Sequence, residues 1–152
     1  MLQYLADIFM FASYYEALEK KMTLRGNTYQ FQVNSITMEA QTAARRLLGL
    51  SQSVRVVTIC DMNGKPVFSA HSKKVKNVLS RKESKGSLQT AARSWKMRKA
   101  LARKLGPCKY VLAEYGRIKR IVMPAGKNHL LYVTTTAAYD HNKVIRKART
   151  FR

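Results

Sequence analysis

The residues able to make or break bonds are few and scattered in this 152-residue chain. Its histidines, His71, His129 and His141, lie far apart, with no HxxxH spacing and no cysteine pair beside them. Metal coordination needs such clustering, so no metal site is expected. Cys60 and Cys108 both fall in apolar, strand-like runs outside any CxxC motif, and read as small buried hydrophobes in a reducing compartment. Acid–base catalysis needs a positioned base and usually a second titratable group. Asp61 and Glu114 are the only carboxylates in the middle of strand-like segments. Asp61 reads equally as a turn residue, and Glu114 as a cross-strand partner of Arg117 or Lys119. A Ser/His/Asp triad assembled in space is compatible with the spacing, but no nucleophile-elbow pattern supports one. The chain has neither GxxxxGK[ST] nor GxGxxG. Gly86-Ser87, read as a helix start, offers free N–H groups to a single phosphate. No cofactor and no catalytic residue is expected, and an enzyme is the least supported class.

Charge is the informative quantity. Lys and Arg number 29 against eight Asp and Glu, a net of +21. Such an excess repels itself and favours a polyanionic partner. The candidate nucleic-acid contacts are Lys73, Lys74, Lys76, Arg81, Lys82 and Lys85 on a basic loop, then Arg93, Lys96, Lys99, Arg103 and Lys104 on one face of a helix. Arg146, Lys147 and Arg149 near the C-terminus complete the set. This array neutralises phosphates without reading bases. A solvated helix face is the ordinary alternative, weakened here because acidic i+4 partners are nearly absent. Trp95, Tyr110, Tyr115 and Tyr132 are able to stack on unpaired bases, although Trp95 lies on an apolar stripe and reads as core. There is no RNP, KH or zinc-finger signature.

The elements that must position these groups follow from pattern. Segment 1–21 carries Lys20 and Lys21 against Asp7, Glu16 and Glu19, a net of −1, and reads as a short amphipathic helix. It lacks the basic start of a signal peptide. Met22 is an alternative start. Residues 22–31 read as a linker, dividing the chain into 1–31 and 32–152. No apolar run reaches the length of a membrane span. Ile36, Ala40, Ala43, Ala44 and Leu47 predict a helix over 35–49, with Ser35 as N-cap and Gly49 as stop. VRVVTICD (54–61) is a strand apolar on both faces, so central in its sheet. Asn63-Gly64 predicts a type I′ hairpin into a strand over 66–72, where Pro66 argues for a sheet edge. Residues 73–87 read as the basic loop. Leu88, Ala91, Ala92, Trp95, Ala102 and Leu105 predict a helix over 87–105, ended by Gly106-Pro107. Strands over 108–115, 118–123 and 129–136 follow, then a helix from Asp140 with Val144, Ile145, Ala148 and Phe151 inward. The fold class is α/β (α+β): a five-stranded, mostly antiparallel sheet with helices on its faces, order α-β-β-α-β-β-β-α, plus an extra N-terminal helix.

Three stretches carry a resemblance: VRVVTICDMNGKPVFSAH, WKMRKALARKLGPCKYVLAEYGRIKRIVMP and HLLYVTTT. Together with the element order they resemble the roadblock/longin-type, profilin-like domain. The middle stretch, with Met97-Arg98-Lys99 and Leu105-Gly106-Pro107, is similar to a family of small archaeal roadblock-like proteins without assigned activity. The similarity covers about residues 37–152, and its motifs are structural. It implies a non-enzymatic domain that commonly dimerises and serves as a scaffold or regulator, in some cases for small GTPases. Two functions are therefore expected. The first is a cytoplasmic basic domain, a homodimer, binding DNA or RNA through its backbone. The alternative is a protein-interaction scaffold or small-GTPase regulator whose charge meets an acidic partner. Anionic lipid is a third partner class, disfavoured by the net charge of 1–21.

Overall fold

The computed structural model describes residues 29–73 and 75–151, with side chains from Met38 onward. The amphipathic helix and most of the linker expected before Tyr29, the Met22 start, and Lys74 lie outside the described residues. The chain divides into two compact units, 1–36 and 37–152. Of the first, only helical backbone from Tyr29 is described. The elements are α1 (Tyr29–Leu48), β1 (Val54–Asp61), β2 (Pro66–His71), α2 (Arg81–Leu105), β3 (Val111–Glu114), β4 (Ile118–Ala125), β5 (His129–Thr136) and α3 (His141–Ala148), closed by a 3-10 turn over Arg149–Phe151. Helix α1 thus starts inside the expected linker, and Ser35 lies within it rather than capping it. An uninterrupted helical backbone leaves no break at Ser35 for a cap to serve.

The sheet order is β2-β1-β5-β4-β3, and every pairing is antiparallel. β1 is interior and β2, opened by Pro66, is an edge, as the sequence implies. Side chains alternate between two faces. On one face, Val57, Ile59, Ile121, Met123, Leu131 and Val133 pack with Ala44 and Leu47 of α1 and Val144 and Ile145 of α3. On the other, Cys60, Val122, Leu130 and Tyr132 pack with Leu88, Ala92 and Trp95 of α2. A sheet covered on both faces explains the near-continuous apolar character of β1, β4 and β5.

Three local expectations are corrected. First, α2 begins at Arg81, not Ser87. Ser80 is its N-cap: the Glu83 N–H donates to Ser80 Oγ at 3.2 Å, and the Ser80 N–H donates to Glu83 Oε2 at 2.8 Å. Ser80-Arg81-Lys82-Glu83 is a capping box, which offsets the cost of about 1 kcal/mol for Gly86 inside a helix. The latter half of the expected basic loop is therefore helix. Gly86-Ser87 lies past the first turn, where N–H groups are spent on the helix itself, so the phosphate site expected there does not exist.

Second, the β1–β2 turn is not type I′. Gly64 has φ +79°, but among the described residues no non-glycine residue has positive φ. The Gly64 N–H donates to the Asp61 carbonyl, and Asp61 Oδ1 accepts from the N–H groups of Asn63 and Lys65. The carboxylate holds the turn, so Asn63 need not adopt the left-handed conformation. Third, β3 starts at Val111 rather than at residue 108. Continuing its register with β4 would bring Lys109 opposite Pro124, whose nitrogen carries no hydrogen.

Candidate interaction surfaces

The cations do not form one surface. Arg81, Lys82, Lys85, Arg93, Lys96, Lys99, Arg103 and Lys104 are exposed on α2. Lys76 is exposed on the segment before it, with Lys73 nearby in sequence. Arg146 and Lys147 belong to α3 and Arg149 to the turn that follows, on the opposite face of the sheet. Nearby acceptors engage several of them. Lys96 Nζ donates to Asn63 Oδ1 at 2.8 Å, Arg146 stands 4.0 Å from Asp140, and Lys147 lies 5.8 Å from the Phe151 ring centroid. Lys119 stands 3.7 Å from Glu114, which gives that carboxylate its cross-strand role.

The stacking and catalytic candidates resolve likewise. Trp95 is 3% exposed and belongs to the core. Tyr132 is buried, whereas Tyr110 and Tyr115 are exposed. Burial pushes the Cys60 thiol up to about 11, which keeps it protonated. Asp61 is held below the usual carboxylate range, first by the Lys65 N–H. It is a turn anchor, not a proton acceptor. Among the described residues, no group of three or more His, Cys, Asp or Glu side chains could hold a metal ion, and no helix is long and apolar enough to cross a membrane.

The second half of α2 departs from expectation. Leu105, expected on the buried stripe, is 79% exposed; Met97 and Leu101 are 68% and 52% exposed. A 25-residue helix is about 37 Å long at 1.5 Å per residue, against about 27 Å for an eight-residue strand, so it outruns its support. Positions 97, 101 and 105 recur at i+4 and form a single ridge. Beside the same core cluster, Val111 packs from β3, the sheet's other edge. In the sequence, Met97 and Leu101 are legible only as large apolar residues set among cations.

The first half of α2 borders a cleft of about 460 Å³. Its floor is formed by β2, β1, β5 and β4, and its walls are residues 75–79 and the first turns of α2. Arg120 lies within it. Arg120 Nη1 donates to Ser87 Oγ at 2.9 Å, and Ser87 Oγ is 2.8 Å from the Tyr132 hydroxyl. The guanidinium carbon stands 5.4 Å from the Tyr115 ring centroid and 5.8 Å from that of Tyr132. Burial pushes the Tyr132 phenol upward, so it stays protonated and neutral.

No protein-family model matches the sequence, and no curated protein matches it by sequence. Solved structures do match by fold. The gliding protein MglB of Thermus thermophilus superposes with a TM-score of 0.64 at 15% identity, over 76% of this chain and 84% of that one. A Roadblock/LC7 domain of Streptomyces avermitilis gives 0.58 at 12%, over 72% and 88%. An MglB with a tetrameric arrangement gives 0.65 at 16%, over 76% and 84%. The chain has the roadblock fold.

Proposed function

We propose that this chain is a non-catalytic, cytoplasmic roadblock-type interaction module. It pairs with a second copy through the exposed ridge of α2 and the open edge at β3, and it serves as a scaffold or regulator for a partner protein, a small GTPase being the expected class. The exposure of Met97, Leu101 and Leu105 on one line of α2 carries the reading. Large apolar groups on a single exposed ridge are what a protein contact covers, and a sheet edge with unpaired backbone groups favours the same outcome. A tetrameric arrangement in one structure of the same fold is consistent with self-association. The test is the mass of the full chain in solution by light scattering. The expected result is a dimer that Leu101→Glu converts to a monomer without loss of helix content. A wild-type monomer at 100 µM rejects the reading. Partner choice is tested by capture from nuclease-treated lysate, where a protein complex must persist.

One observation favours nucleic acid as a second reading. Along α2 the only carboxylate is Glu83, and the capping box engages it. About six phosphate contacts imply a slope of log K against log salt near −5. Affinity for random DNA or RNA that hardly changes between 50 and 300 mM salt rejects it.

A further inference from the structure

Among the described residues, Arg120 is a cation without a counter-ion. Its contacts among the described residues are a neutral hydroxyl, Ser87 Oγ, and the faces of Tyr115 and Tyr132. Its Nε is shut off from solvent and has no hydrogen-bond partner there. A half-buried guanidinium normally rests on a carboxylate, because a buried charge left unpaired is costly. Here no carboxylate among the described residues lines the cleft, while Arg55, His71, Lys76, Arg81 and Lys85 line it together with Arg120. Two contacts brace the walls of the cleft. Arg55 Nη2 donates to the Lys76 carbonyl at 3.1 Å, which ties the 75–79 wall to β1. The Ser80 capping box fixes the start of α2 opposite.

We propose that this cleft binds a small phosphorylated organic molecule, with its phosphate on Arg120, Arg81 and Lys85 and its organic body against Val75, Leu79 and Ile118. The size suits the purpose, since small-molecule sites run from about 300 to 1,000 Å³. The lining suits it too: apolar surface for an organic body stands beside many polar and cationic groups. A planar guanidinium already braced by two aromatic rings and a hydroxyl loses little freedom on meeting a phosphate, which favours arginine for this role. The proposal concerns the sheet side of the first half of α2. It is independent of self-association through the second half.

Phenyl phosphate is the probe, with phenol and inorganic phosphate as its two halves, titrated calorimetrically into the full chain at 50 mM salt. Phenyl phosphate binds at least tenfold tighter than either half if the cleft takes both parts of the molecule. Arg120→Gln weakens it at least tenfold. Because Arg120 is half-buried, the exposed pair Arg81→Ala with Lys85→Ala provides a second arm, expected to weaken binding about fivefold in a protein of unchanged melting temperature. Arg93→Ala with Lys99→Ala removes the same charge elsewhere on α2 and changes affinity less than twofold. Equal losses from the two double variants overturn the proposal, since they report only the diffuse field of a +21 chain. Binding of inorganic phosphate as tight as that of phenyl phosphate overturns the organic half of it. No heat from any probe at 5 mM overturns it whole.

Discussion

Replacing Gly64 by alanine is expected to be among the most damaging small changes available in this domain. An ideal Cβ at Gly64 would stand 2.7 Å from both the Cα and the N of Gln89 and 2.8 Å from the backbone carbon of Leu88. These are backbone atoms of α2, with no flexible side-chain end to swing aside. Helix and hairpin must part, which resembles overpacking at a cost of about 1–3 kcal/mol. The φ of +79° adds the left-handed strain of a non-glycine residue, about 1–2 kcal/mol. The sum is about 2–5 kcal/mol, against a total stability of about 5–15 kcal/mol for a domain. Gly126 supplies the internal control. Its φ is +68° with nothing within 4 Å of the added carbon, so Gly126→Ala bears the strain alone. At about 4 °C per kcal/mol, melting temperatures followed by circular dichroism should fall by about 8–20 °C for Gly64→Ala and about 4–8 °C for Gly126→Ala. Equal shifts would refute the close seating of α2 on the β1–β2 turn, and with it the shape of the cleft beside it.

Ser80→Ala removes one half of the capping box, for about 1 kcal/mol. Amide exchange should then accelerate over 81–86 while that around Trp95 stays slow. The pH dependence has a definite sign. Asp61, Glu83 and Asp140 are all held below their ordinary values, in each case first by a backbone N–H, from Lys65, Ser80 and Asn142 respectively. Their stabilisation is present above the unfolded values of 3.8 and 4.5 and is lost as pH falls through the lowered folded ones. The melting temperature should therefore drop between pH 5 and pH 3, and Asp61→Asn should be less stable at pH 7 yet show a shallower drop. A drop of the same steepness in the variant would exclude Asp61 as a contributor. Raising salt from 0.05 to 0.5 M should raise the melting temperature, because the chain carries +21 and its repulsion is screened.

The sequence made the layered architecture legible because apolar spacing and strand parity are local. Val57 and Ile59 against Cys60, read from β1 alone, already name both cores. The chain boundaries of β1 and β5, the Asp140 cap and the edge position of β2 follow from similarly short-range signals. What the sequence concealed was tertiary. The start of α2 was written in Ser80 and Glu83, but Gly86 and a run of lysines outweighed two residues of capping chemistry. Leu105 has the correct period for the buried stripe, yet period says nothing about where the sheet beneath a helix stops. Arg120 and Arg55 read as alternating residues of strands, and only the pairing of β4 with β5, and of β1 with both its neighbours, brings them to one cleft. The cation count was plain. Its division between the two faces of the sheet was not.

That division bears on which partner the charge serves. The ridge of Met97, Leu101 and Leu105 runs among Arg93, Lys96, Lys99, Arg103 and Lys104, all exposed. Two copies meeting along it must bring like charges together, so added salt tightens the dimer by screening them while leaving the apolar contact intact. Phosphate contacts respond in the opposite sense, because salt competes with the counterion release that drives them. A single variable therefore separates the readings on the same helix. If the ridge is the working surface, the dimer dissociation constant falls between 50 and 500 mM salt, and nucleic acid, if bound at all at low salt, is released over that range from an intact dimer. Should the dimer instead dissociate together with the nucleic acid as salt rises, the copies were being held by a shared polyanion. The apolar ridge would then not be what joins them.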